Sequence, residues 1–467
     1  MNNLVYGVKD RPPFGKLIVF ALQQLLAILA ATIAVPAIVG NGMSQSAALF
    51  GAGVGTIVYL LFTRFKSPVF LGSSFAFLGS MAAAFAGAVT VEAGYLGLII
   101  GAILAGLVYV VFAIIEKFAG SAWIDKIMPA VVIGPTVAII GLSLSGNAIG
   151  DLFKGGVATT SSYLALVIGL ITLFSVIIAS VFGKKFMKLI PFIIGIVVGY
   201  AVAAIFTGIG FAAGNDDLKV VNFDLFKDIK WLPDFVFLKA FKSFKDFHDA
   251  GEFFSFFGTV AVAYIPVAFV VFAEHIADHK NLSTIIGQDL TKDPGLNNTL
   301  LGDGIDSMAG AFFGGCPNTT YGESIGCVAI TKNASVVTIF CTAIIAIVIS
   351  FFGPFVTFLA TIPNCVMGGV CIALYGFIAV SGLKMIQHVD LGDNKNLFVV
   401  SVILIAGVGG MVVTFGKVTI TPVACALILG ICVNLIVNLK KNDSEEAEVS
   451  SDNKTEEIES TDSNDKE

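Results

Sequence analysis

Residues 314–332 read GGCPNTTYGESIGCVAITK. Apolar sequence flanks them on both sides, yet this stretch holds an Asn, three Thr, a Tyr, a Ser and one carboxylate, Glu323. A polar, Gly- and Pro-punctuated segment of this kind does not read as a continuous helix. We expect residues 317–322 to be extended and the residues after them to form a short helix. How such a segment survives inside so apolar a chain is the question that decides the fold.

The chain has 467 residues, of which 56% are hydrophobic and 13% charged, with a mean hydropathy of +0.92. A soluble protein carries about 25% charged residues, so the apolar surplus must face lipid. Nearly uncharged runs long enough to cross a bilayer recur along the sequence. The start, MNNLVYGVKDRPPFGK, lacks the apolar core and small-residue cleavage site of a signal peptide, and nothing is expected to be removed. The seven Cys form no CxxC pair and read as small buried hydrophobes. The net charge of −6 hides an asymmetry: residues 442–467 hold eleven acids against two lysines, a balance of −9, which leaves +3 for the rest. This tail is expected to be disordered, solvated and cytoplasmic.

Hydropathy places fourteen spans near 16–38, 46–63, 69–87, 95–116, 127–146, 162–183, 189–207, 253–277, 298–313, 317–333, 335–353, 363–382, 396–415 and 420–439. The expected fold class is an all-α polytopic membrane protein with 14 transmembrane segments. With the N-terminus inside, seventeen Lys and Arg fall in inner segments, and only Lys154 and Lys417 fall in short outer loops. Both termini are then cytoplasmic. The long loop around 208–252 carries six lysines and eight acids and divides the chain into halves of seven spans. An odd number per half requires any repeat to be inverted. MPAVVIG at 128–134 matches IPNCVMG at 362–368, with Pro129/Pro363, Val132/Val366 and Gly134/Gly368 offset by 234. The third span of each half is also the interrupted one, FLGSSFAFLGS at 70–80 and CPNTTYGESIG at 316–326. Interrupted segments at matching positions of two halves point to a transporter's binding site.

Non-helical backbone at membrane depth persists only where it is buried in protein or lines a cavity. Residues 72–75 and 317–322 therefore read as extended pieces in spans 3 and 10, each opening a half-helix whose free N–H groups face a shared cavity. Glu323 sits at such a helix start. It either caps the helix or contacts a ligand, and the cost of an ionisable group in a membrane favours the ligand. A second cluster is AEHIADH, residues 273–279, where Glu274 and Asp278 share a helix face and His275 and His279 share another. The His pair has zinc spacing, but HExxH is missing and Glu274 would point away, so no metal is expected. His279, beside Lys280, is expected to reach the cytoplasmic surface. Asp303 and Asp306 are expected at a span's cytoplasmic side in a structural or gating role. Two glutamates, free amide N–H groups and an aromatic ring from Phe75 or Tyr321 suit a flat neutral ring bearing N–H donors beside carbonyls, such as uracil. An anion would be repelled.

PNTTYGESIGCVAITK, AEHIADH, LGSSFAF, GVKDRPPF and LQQLLAILAATIAVP together resemble the nucleobase–ascorbate transporter family, over residues from about 7 to 440. The resemblance implies two inverted seven-span repeats within a transporter of residues 1–441. It implies a core of about 14–120 and 251–355, and a gate of about 121–250 and 356–441. It also implies proton-coupled, elevator-like import at the plasma membrane, often by a homodimer, with no covalent chemistry, no cofactor and no nucleic acid. Carried onto this sequence, Glu274 and Glu323 grip the base. Phe75, Ser74 and Gly322 contact it, and Tyr321 lines the site. Ser324 stands where the family signature has Asn, whereas Gly326, Thr331 and Lys332 fit. Asp278 stands where uracil carriers have a His linked to proton coupling, and purine-selective relatives often carry Asp there. Glu323 in place of Gln argues for uracil over xanthine, urate or another purine. A sulfate or bicarbonate carrier of the same architecture would want a basic or neutral site. One turn apart, Asp278 and Glu274 would compete for a proton in a poorly solvated cavity, which makes Asp278 and Glu274 the proton-coupling candidates.

Overall fold

In hydrocarbon a backbone must satisfy its own N–H and C=O groups, and a single segment can do so only as a helix. Helices accordingly dominate the computed structural model. It describes residues 4–438 apart from 121–128, 185, 186, 189, 228, 388, 416 and 417. The acidic segment 442–467 and Met128 of the repeated motif lie outside the described residues.

The first half runs α1 (Phe14–Val39), α2 (Gln45–Phe62), strand β1 (Leu71–Ser73), a single 3-10 turn (Phe75–Phe77), α3 (Leu78–Ala86) and α4 (Val91–Ala119). It continues with α5 (Ala130–Ser143), α6 (Ser145–Leu152), α7 (Ser162–Val181) and α8 (Pro191–Ala213). After α9 (Val236–Ala240) the second half runs α10 (Ala250–Ile286), α11 (Leu296–Gly314), strand β2 (Asn318–Thr320), α12 (Gly322–Thr331), α13 (Val336–Ile349) and α14 (Gly353–Ala360). It ends with α15 (Asn364–Met385), α16 (Asn394–Val408), a hairpin of β3 (Val413–Phe415) and β4 (Val418–Ile420), and α17 (Pro422–Asn438).

Among the described residues, eight helices are long and apolar enough to cross a bilayer, and α13 with α14, bent by 85°, makes a ninth if counted as one span. The molecule is thus a multi-pass helical membrane protein. Helix α10 is longer than its expected span of 253–277: its 37 residues reach about 55 Å at 1.5 Å each, well beyond the hydrocarbon thickness. The loop before it is packed rather than free. Phe237 stacks on Phe312 at 4.9 Å and Phe235 meets Phe50 edge-on at 4.9 Å, which seats the loop on the ends of α11 and α2.

Helices α1, α2, α4, α10, α11 and α13 pack chiefly on one another, as do α5, α6, α7, α8, α15 and α16. The strands pack on the first group. β1 and β2 pair antiparallel, with Leu71 opposite Thr320, Gly72 opposite Thr319 and Ser73 opposite Asn318. Each strand opens directly into a short helix, so both interrupted segments adopt the extended-then-helical form expected of them.

Candidate functional site

Two three-residue strands deep in a membrane protein leave backbone groups that their own pairing cannot satisfy, and side chains complete the set. Thr56 Oγ1 accepts from Leu71 N at 3.0 Å and donates to Leu71 O at the same distance. Ser324 Oγ accepts from Phe70 N at 2.9 Å, and Gln24 Nε2 donates both to that hydroxyl and to Ser324 O. Tyr321 Oη donates to Ser73 O at 2.9 Å, and Ser307 Oγ donates to Asn318 O. Asn318 Nδ2 donates to Asp306 Oδ1 at 2.7 Å. Gly72 is required where it stands: a Cβ there would lie 2.7 Å from the Tyr321 ring.

With the backbone satisfied, the two half-helices present their starts to a small pocket of ≈ 50 Å³. All six residues expected to bind substrate line it: Glu274, Glu323, Phe75, Gly322, Tyr321 and Ser74. Ala76, Thr319, Thr320, Ile140 and Ile378 complete the wall. Glu323 lies in the first turn of α12, where N–H groups have no intrahelical acceptor. Ser74 Oγ is buried with no hydrogen-bond partner among the described residues. The Phe75 ring is held edge-on by Tyr375 at 5.8 Å.

The pocket continues into a cavity of ≈ 360 Å³, also walled by Glu274, Gly322, Glu323 and Ile378. Asp278 faces this larger space, one turn beyond Glu274, and accepts from Thr320 Oγ1 at 2.6 Å. Its far wall comes from the other packing group, with Val137 of α5, Phe192 of α8 and Leu374 of α15, and Lys188 lies at its edge. On the opposite side of Phe75, Ala76 and Ile140 a separate cavity of ≈ 260 Å³ extends toward Asn147 and Thr421.

Three expectations are corrected. His279 is not at the surface; it is buried, its ring stacked on His275 at 4.0 Å, and its Nε2 meets Tyr59 Oη at 2.6 Å. Asp303 and Asp306 are not at a span's end but in the middle of α11, both buried, with Asp306 holding β2 through Asn318. The cause is the same in each case: α11 packs against α2 and α4, and α10 against α4, so their polar side chains are covered. Sequence reasoning also passed over Thr320 as the partner of Asp278 and Gln24 as the partner of Ser324. The polar character of 316–326 was the only signal available for either.

Crossed half-spans, with carboxylates on a cavity between two helical groups, define a membrane protein of transporter architecture. The chain belongs to the nucleobase–ascorbate transporter family: residues 15–416 match the model of that permease family. It is 40% identical over 440 residues to the uracil permease of Bacillus caldolyticus, covering 94% of this chain and 95% of the relative. It is 37% identical over 445 residues to the uracil permease of Bacillus subtilis strain 168, covering 94% and 96%. The solved structure of murine solute carrier 26 family member A9, an anion transporter in the inward-facing state, superposes with a TM-score of 0.63 at 12% identity, covering 93% of this chain and 69% of that one. This last likeness concerns the fold alone.

Proposed function

We propose that the protein imports uracil by proton symport across the plasma membrane through an elevator-like movement. One observation carries the reading: the two carboxylates, an unpartnered buried hydroxyl, helix-start N–H groups and an aromatic ring all converge on one small pocket. Glu274 and Glu323 accept from ring N–H groups. Gly322 N–H and Ser74 donate to carbonyls, and Phe75 packs on the ring face. Relatives named uracil permeases, similar over 94% of the chain, support the choice of base. The carboxylates weigh against an anion. Asp278 keeps a purine as the second reading.

The core comprises about 14–120 and 251–355 and the gate about 121–250 and 356–441; the two packing groups support this division. Fourteen segments in two inverted seven-span repeats accord with the matched strand-then-helix pieces. Both termini are cytoplasmic and the active form is a homodimer. With Lys188 on the inner side, the larger cavity faces the cytoplasm. Asp278 and Glu274 carry the coupling proton, and each proton contributes roughly 2.3 kcal/mol per 100 mV of membrane potential to accumulation. The test is uptake of labelled uracil into vesicles, competed by xanthine, hypoxanthine and thymine, with and without a protonophore. Uracil-selective uptake abolished by the protonophore is expected; uptake of xanthine in preference to uracil would transfer the reading to a purine carrier.

A further inference from the structure

Behind the substrate face of α10, on the side turned from the cavity, lies a second set of titratable groups that neither binds substrate nor lines any cavity described above. His275 follows Glu274 directly in sequence and points about 100° around the helix from it. Its ring is buried. Nδ1 lies 2.5 Å from Asp303 Oδ2 and Nε2 lies 3.0 Å from Thr299 Oγ1. Thr299 Oγ1 also lies 3.0 Å from Leu296 O.

The protons of this cluster can be assigned from the contacts. A hydroxyl has one hydrogen, and a carbonyl can only accept. For both Thr299 contacts to be hydrogen bonds, the hydroxyl donates to Leu296 O and accepts from His275 Nε2–H. The contact left, Nδ1 with Oδ2, then holds one shared proton. With none, two acceptors would meet at 2.5 Å. A second, on Asp303 Oδ1, would have no acceptor, since that oxygen is buried without a partner among the described residues. Wherever the shared proton rests, on nitrogen or on oxygen, the pair sums to zero charge. The neighbouring ring extends the set: His279 Nδ1 donates to His275 O at 2.8 Å, and its Nε2 lies 2.6 Å from Tyr59 Oη. Tyr59 Oη also donates to Ser67 Oγ at 2.7 Å.

We propose that His275 and Asp303 form a neutral, single-proton clamp that fixes α10 to α11 and thereby positions Glu274, as positioning residues that take no part in proton transport. The titratable groups around His275 are Glu274 and Asp278 along α10, His279 stacked on it, Asp306 along α11, Tyr59 of α2 and Tyr109 of α4, whose ring meets it edge-on at 6.0 Å. A neutral clamp lets the core carry this carboxylate through the membrane without adding to the charge moved, which matters because charge inside a bilayer is costly. The positional half of the proposal rests on Glu274 being a uracil ligand; the neutrality does not.

Two variants test it. Asp303→Asn supplies an amide N–H to His275 Nδ1 and keeps the cluster neutral. Asp303→Leu leaves Nδ1 without a partner. Uracil affinity, read by titration of purified protein from pH 5.5 to 8.5, is expected to fall at least tenfold in the Leu variant and to return to within about threefold of native in the Asn variant, with the same pH profile. Uptake at two imposed membrane potentials is expected to keep its native potential dependence in the Asn variant. A shifted pH profile or a changed potential dependence in Asp303→Asn would show a charged or titrating pair and overturn the proposal, as would native affinity in Asp303→Leu. If the Leu variant does not fold, the Asn variant decides. Should the native protein bind no uracil, the functional reading fails on its own. The neutrality is then read from the ligand-free melting temperature against pH, whose curve must superpose for native and Asp303→Asn.

Discussion

Glu323 and Ser324 are adjacent in sequence, and the structure gives them opposite consequences when altered. Ser324 is fully buried, and its hydroxyl is the acceptor for Phe70 N–H at the entry to β1. Ser324→Ala leaves that N–H buried without a partner, at a cost of about 1–3 kcal/mol. Gln24 loses one of its two contacts but keeps Ser324 O at 3.2 Å, which limits the damage. The loss is the same with or without substrate, because the hydroxyl points away from the pocket. Thermal stability of the ligand-free protein should therefore fall, while uracil affinity stays within about threefold of native. Glu323→Gln is the converse. It keeps the size but presents an N–H₂ group where a lone pair is needed, and a hydrogen bond to a charged group contributes about 1.5–3 kcal/mol, so roughly a 10- to 100-fold weaker Kd is expected at 1.4 kcal/mol per tenfold. Ligand-free stability should not fall. Both quantities come from thermal unfolding of purified protein titrated with uracil. Normal uracil binding by Glu323→Gln would remove Glu323 from the site. Loss of binding without loss of stability in Ser324→Ala would show that Ser324 faces substrate and that the strand-entry argument is wrong.

Asp278→Asn should retain uracil exchange across vesicles while losing accumulation driven by a proton gradient, because the amide can still meet Thr320 but cannot titrate; accumulation that persists and still responds to a protonophore would move the coupling proton elsewhere, with Glu274 the next suspect. In a cysteine-free background, a cysteine at position 154 should label from outside and one at position 184 from inside. The reverse pattern would overturn the orientation drawn from the lysine skew.

Much of the site was legible in the sequence because its signals are local. Pro317, Gly322 and the Thr pair interrupt an apolar run, and that is enough to predict extended backbone followed by helix. Glu274 and Asp278 share a face by spacing alone, and both do face the cavity. What sequence could not supply is what lies opposite each face. A helix in a membrane protein can be apolar on every side, so periodicity does not mark the buried stripe as it does in a soluble helix. His279 was placed at the surface because Lys280 follows it, but the helix continues to Ile286 and turns His279 toward Tyr59. Asp303 reaches His275 across 28 residues, a separation that leaves no local trace. The expected span of 335–353 stops at the 85° bend, where Gly353 and Pro354 follow the break, but the short helix α14 beyond it was not foreseen.

The arrangement of polar groups follows from one requirement. Crossing strands at membrane depth expose N–H and C=O groups that must be matched, and the core's hydroxyls and amides do so at β1, β2 and their flanks. Thr56 serves Leu71, Ser324 serves Phe70, Tyr321 serves Ser73, and Ser307 serves Asn318. The carboxylates of α11 are absorbed as well, Asp306 by Asn318 and Asp303 by His275. At the pocket itself the Ser74 hydroxyl is unpartnered among the described residues, and the two glutamates line the same space. A pocket in which the structural hydrogen bonds are already made, and the remaining polar atoms face a small flat space, has its specificity set by the bonds still open. On this argument substrate selectivity should respond to Glu274, Glu323 and Ser74, whereas changes at Thr56, Ser307 or Ser324 should act through stability.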